Sequence, residues 1–153
     1  MISKKETYIF LESVEKIDAI VPNKLVEIQQ MYDLATSITA TMNGECVQSS
    51  GSKQKMADAA NKCMDTIDEI SGHVDKLRNQ RKEVTQTIEK LYSPIEYKVL
   101  HLRYIQHKTL EEIADEFGRS YDWAKDTSKR AVEHVQVILN KCPQTPPNAP
   151  KSP

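Results

Sequence analysis

Aromatic residues are scarce in this chain: two Phe, six Tyr and a single Trp make up 6% of it. Glycine is scarcer still, at four residues in 153. Sheet proteins draw on both, for cross-strand packing and tight turns, so the shortage argues against a β-rich fold. Cysteine is limited to Cys46, Cys63 and Cys142, an odd number at wide spacing. That excludes a disulfide framework and a metal-ligand motif, and it fits the reduced thiols of a cytoplasmic protein. No apolar run approaches the roughly 18 residues of a membrane span. The opening Met1-Ile-Ser-Lys-Lys-Glu-Thr lacks the apolar stretch of a signal peptide. A cytoplasmic protein with no membrane partner is expected.

An excess of one charge is also missing. The 21 basic and 22 acidic side chains nearly cancel, so any basic surface must be local. His73, His101, His107 and His134 are scattered, and none has metal-ligand spacing to a carboxylate or a cysteine. No phosphate-cradling glycine loop and no nucleophile motif occurs. These absences predict a protein that is not an enzyme, with no catalytic residues, no cofactor and no metal.

What the chain does have is helical periodicity. The length suits one domain, or one small domain with an extended element. Phe10, Val14, Ile17 and Val21, then Leu25, Ile28, Tyr32 and Ala35, follow spacings of three and four. Pro22 interrupts them and predicts a break or strong kink, because proline lacks an N–H and clashes inside a helix. The polar, small-residue stretch 41–52, with Asn43-Gly44 and Ser49-Ser50-Gly51-Ser52, reads as a loop. From 54 to 91 the pattern is cleanest. Ala60, Cys63, Ile67, Ile70, Val74, Leu77, Arg81, Val84, Ile88 and Leu91 alternate threes and fours, a coiled-coil-like seam. Such a stripe needs a partner helix. Either the first segment folds back on it as a long antiparallel hairpin, or the 54–91 helix pairs with a second copy as a homodimer. Residues 142–153 hold five prolines and no apolar cluster, which predicts a disordered tail.

Residues 93–141 carry three helix starts. Ser93-Pro94-Ile95-Glu96 reads as cap, first-turn proline and capping-box glutamate. Thr109-Leu110-Glu111-Glu112 is a second capping box, opening a short helix that Gly118 ends. Ser120 caps a third helix, with an inward stripe of Ala124, Thr127, Ala131, Val135 and Ile138. A short helix, a glycine turn and a longer capped helix make a helix-turn-helix. The second helix of such a pair fits the major groove of double-stranded DNA through its first turns. The candidate DNA-binding residues are therefore Thr109, Ser120, Tyr121, Asp122, Trp123, Lys125, Asp126, Lys129 and Arg130.

Leu100-His-Leu-Arg-Tyr104, Lys108-Thr-Leu-Glu-Glu-Ile-Ala114, Phe117-Gly118 and Ser120 resemble region 4 of sigma factors of the sigma-70 class. Their spacing matches without a gap from Val99 to Ala131. The earlier part, including Leu34-Ala-Thr-Ser-Ile-Thr39 before a polar loop and a long helix, resembles small phage and prophage proteins of Gram-positive bacteria. These pair a helical first part with a region 4-like end. The resemblance implies an all-α fold and a phage transcription regulator acting in the host cytoplasm, with promoter or operator DNA and RNA polymerase as partners. In sigma factors an arginine is usual where Tyr121 stands, a polar or basic residue where Asp126 stands, an apolar residue where Arg119 stands, and a larger one at Ala124.

Residues 93–141 carry eight basic and eight acidic side chains, so one copy is expected to bind DNA weakly and with strong salt dependence. Oligomerisation, or the acidic 109–116 helix docked on the polymerase, would make up the difference. The other reading is a non-catalytic coiled-coil interaction module whose helix-turn-helix docks a protein.

Overall fold

A computed structural model describes residues 1–42 and 50–141. Among them every regular element is helical: α1 (Lys4–Met42), α2 (Ser50–Glu89), α3 (Pro94–Leu100, prolonged by a π-helical turn His101–Ile105), α4 (Leu110–Phe117) and α5 (Tyr121–Lys141). The expectations for the middle of the loop, 43–49, and for the proline-rich tail, 142–153, fall outside the described residues. The flanks of the loop are helical instead: Thr41 and Met42 end α1, and Ser50, Gly51 and Ser52 begin α2.

Pro22 does not break α1, which is helical on both sides of it. An interior proline costs about 3 kcal/mol. It lies here on the exposed side of a 39-residue helix whose opposite side is packed, at Ile17 before it and Ala35 after it. The packed stripe after Pro22 also differs from the expected one. Leu25 and Tyr32 are exposed, and Lys24, Ile28, Met31, Ala35 and Ile38 turn inward. In α2 and just past its end, every seam position from Ala60 to Leu91 is buried or half-buried.

The chain forms two compact units, residues 17–79 and residues 1–16 with those from 80 onward. In the first, Tyr32–Ala40 of α1 and Ala60–Met64 of α2 face one another. In the second, Leu11 and Val14 of α1 share a core with Val84 and Ile88 of α2. Early residues of one helix thus meet late residues of the other, which is an antiparallel hairpin. That same core takes in Leu100, Tyr104, Ala131, Val132, Val135 and Leu139. The helix-turn-helix therefore packs on the first turns of α1 and the last turns of α2. A smaller cluster of Val99, Leu102, Ile113, Ala114 and Ala124 holds α3, α4 and α5 together.

Candidate nucleic-acid interface

Each start of the helix-turn-helix is fixed by local hydrogen bonds. Ser93 Oγ accepts from Glu96 N at 3.4 Å. Glu96 does not close a capping box; it is buried, and its carboxylate meets His134 Nδ1 at 2.8 Å. The His134 contact gives the buried carboxylate a hydrogen-bonding partner, which a buried polar group needs. Thr109 does form the box. Its Oγ1 accepts from Glu112 N at 3.2 Å, and its own N–H donates to Glu112 Oε2 at 3.0 Å. Just before it, His107 adopts a left-handed φ of 59°. The turn this makes lets Lys108 N donate to Leu102 O at 2.9 Å.

Gly118 closes α4 with φ 63°, and Arg119 N then donates to Ala114 O at 2.9 Å. Only glycine enters that backbone region without steric cost. Two residues on, Ser120 Oγ accepts from Trp123 N at 3.1 Å and starts α5. The inward side of α5 is broader than expected: Ser128, Val132 and Leu139 are buried beside Ala124, Thr127, Ala131 and Val135, while Ile138 is half-buried.

The face this leaves outward consists of Ser120, Tyr121, Asp122, Lys125, Asp126, Lys129 and Arg130, all exposed, with Thr109 exposed at the start of α4. Trp123 is half-buried. Its ring lies 5.1 Å from that of Phe117, with the Arg119 guanidinium 5.6 Å over it and Lys98 Nζ 5.1 Å over Phe117. The tryptophan thus ties the turn together as well as bordering the face. Arg119, at the turn between α4 and α5, stacks on Trp123.

One cation was missed in the sequence. Arg103 lines a cleft of about 170 Å3 with Lys125, Lys129, Tyr8, Leu110 and Ser128. Lys125 and Lys129 share a helix side at i and i+4, but nothing in the sequence brings α3 to them. Arg103 also lies 5.6 Å from the ring of Tyr104. Burial pushes the Tyr104 phenol up to about 12, and the neighbouring Arg103 charge works in the opposite direction. A second groove, of about 550 Å3, runs past Arg103, Thr109 and Tyr121. Of the four acidic residues of α4, Glu112 is engaged in the cap, and Glu116 pairs with Lys108 at 3.2 Å. Among the described residues there is no group of three His, Cys, Asp or Glu placed to hold a metal ion. No helix among them is long and apolar enough to cross a membrane.

Residues 93–136 match the family model of sigma-70, region 4. No curated protein and no solved structure matches the chain. The region 4 match covers α3, α4 and most of α5. Region 4 is a DNA-binding, non-catalytic domain type of transcription regulation. Residues 1–16, packed in the same unit, lie outside the match.

Proposed function

We propose that the chain is a phage-type transcription regulator that reads promoter or operator DNA through α4 and α5 in the bacterial cytoplasm. The observation that carries this reading is the region 4 helix-turn-helix, with the first turns of α5 presented outward. Thr109 and Ser120 serve the DNA backbone in this reading. Tyr121, Asp122, Lys125 and Asp126 meet base edges, Lys129 and Arg130 meet phosphates, and Trp123 borders the face. Arg103, which shares a cleft with Lys129, joins it as a phosphate contact. The phage assignment is supported by the resemblance of the helical first part to small phage and prophage proteins.

With eight charges of each sign over 93–141, a single copy binds weakly, and a second copy or RNA polymerase strengthens it. Leu25, Val26, Tyr32, Leu34 and Met64, all exposed, support self-association through the hairpin. Glu111 and Asp115 of α4 remain outward for a polymerase contact.

Genome-wide mapping of DNA bound by the tagged protein, followed by titration of the recovered sites, tests the reading. Lys125→Ala/Lys129→Ala is expected to lose roughly tenfold or more in affinity, with the salt slope falling by about one. Equal binding by parent and variant would remove α5 as the DNA face. Asp122 and Asp126 on that face favour a second reading, a protein-docking module. A chain lacking residues from 93 onward that kept the full regulatory effect would establish that docking through this unit is dispensable as well.

A further inference from the structure

Residues 1–16 lie outside the region 4 match, yet their main chain is tied into the same unit at two places. Asn140 Oδ1 accepts from Ile2 N at 2.7 Å, and Gln136 Nε2 donates to Ile2 O at 3.1 Å. Further along, Leu11 and Val14 are completely buried in the core that holds Tyr104 and Val135. With that side of the helix anchored, helical geometry sets where the next positions go. Glu12 and Glu15, each one residue past an anchor, are exposed. Both line the 550 Å3 groove together with Arg103, Lys108, Thr109, Tyr121 and the carboxylate of Glu111 from α4 itself. Two carboxylates from α1 therefore stand beside the N-cap of α4 and the first residue of α5. DNA seated on Thr109 and Tyr121 would bring its phosphates to this groove. Like charges repel there, and each carboxylate offsets the gain from neutralising a phosphate.

We propose that Glu12 and Glu15 are an electrostatic brake on DNA binding, carried to the edge of the recognition face by α1. The inference rests on the DNA-binding reading and deepens it. The low affinity of one copy is set in part by a helix that does not belong to the region 4 segment, and not only by the charge balance within that segment.

Full-length protein is titrated against fluorescent, mixed-sequence double-stranded DNA at about 50 mM and about 200 mM salt. Glu12→Gln/Glu15→Gln is expected to bind roughly three- to tenfold tighter at the lower salt, with the gain shrinking at the higher salt. Glu83→Gln/Glu89→Gln makes the same change in net charge elsewhere on the unit and is expected to gain clearly less. All four positions are exposed and helical, and glutamine keeps helix propensity, so the variants fold. Equal gains from the two pairs, or weaker binding by Glu12→Gln/Glu15→Gln, would overturn the brake. Lys125→Ala/Lys129→Ala separates the two levels. If it loses binding while the Glu12/Glu15 pair gains nothing, only the brake fails. If it binds like the parent, or if no form binds, the DNA reading falls and the brake with it.

Discussion

The two compact units are built from the same two long helices but are packed very differently. Of the twenty-one buried apolar side chains among the described residues, sixteen belong to the unit that contains the helix-turn-helix. The hairpin unit, residues 17–79, contributes only Ile17, Ala35, Cys63, Ile67 and Val74. The physical reason is the number of layers. Two helices side by side can bury one stripe each, whereas five helical segments enclose side chains from several directions. The segment that matches region 4 lies in the densely packed unit, and large exposed apolar side chains occur in both units, Leu25 and Tyr32 in one, Ile9 and Val137 in the other.

Cutting one buried anchor in each unit should give unequal losses of stability. Leu11→Ala removes a fully buried side chain from the core shared with Tyr104 and Val135. It should cost about 3 kcal/mol, within the usual range for large-to-small changes in a closed core. Ile67→Ala, at 3% exposure, should cost about 2 kcal/mol or less, since a two-helix seam can close over the gap or let water in. Urea denaturation of both variants measures the difference. Equal losses would mean that the hairpin unit is as rigidly packed as its neighbour.

Much of the densely packed unit can be read from sequence because its helix ends are chemically local. Ser93, Thr109 with Glu112, Gly118 and Ser120 each act within three or four residues, and each caps as its residue type predicts. The α2 seam is legible for a similar reason, being one continuous period on one helix. Interactions between elements are not legible. Glu96 looks like a capping-box residue until α5 brings His134 to it. Arg103 looks like one basic residue among eight until it meets Lys125 and Lys129 across a cleft. Pro22 reads as a break or strong kink because local cost is all that sequence displays, yet α1 is helical on both sides of it.

Tyr104 sharpens the comparison through pH. Its phenol is buried in the denser unit and titrates near 12, above the ordinary value of 10. A raised folded-state value means that its contribution is fully present below pH 10 and is lost as pH rises from 10 towards 12. The loss should reach about 2 kcal/mol at the upper end. Tyr104→Phe should be less sensitive than the parent over that window, which urea midpoints at successive pH values would detect. Identical profiles for the parent and Tyr104→Phe would show that the phenol is solvated.

The smallest expected effects come from two glycines, and they should have opposite signs. Gly72 lies inside α2 in the hairpin unit, exposed, and an added Cβ would meet nothing within 4 Å. Gly72→Ala should therefore stabilise the protein by about 0.5–1 kcal/mol, through helix propensity and a less flexible unfolded chain. Gly118 has equal space around it, but its φ is 63°. Gly118→Ala should destabilise by about 1–2 kcal/mol, because the left-handed backbone crowds a Cβ against the following carbonyl. The same change tests the recognition face. If the turn relaxes out of the left-handed region, Ser120 and α5 shift against α4, and the Trp123 ring moves off Phe117. Tryptophan fluorescence should then change in Gly118→Ala and not in Gly72→Ala. An unchanged spectrum together with an unchanged denaturation midpoint at Gly118→Ala would mean that α4 and α5 hold their angle without the glycine turn.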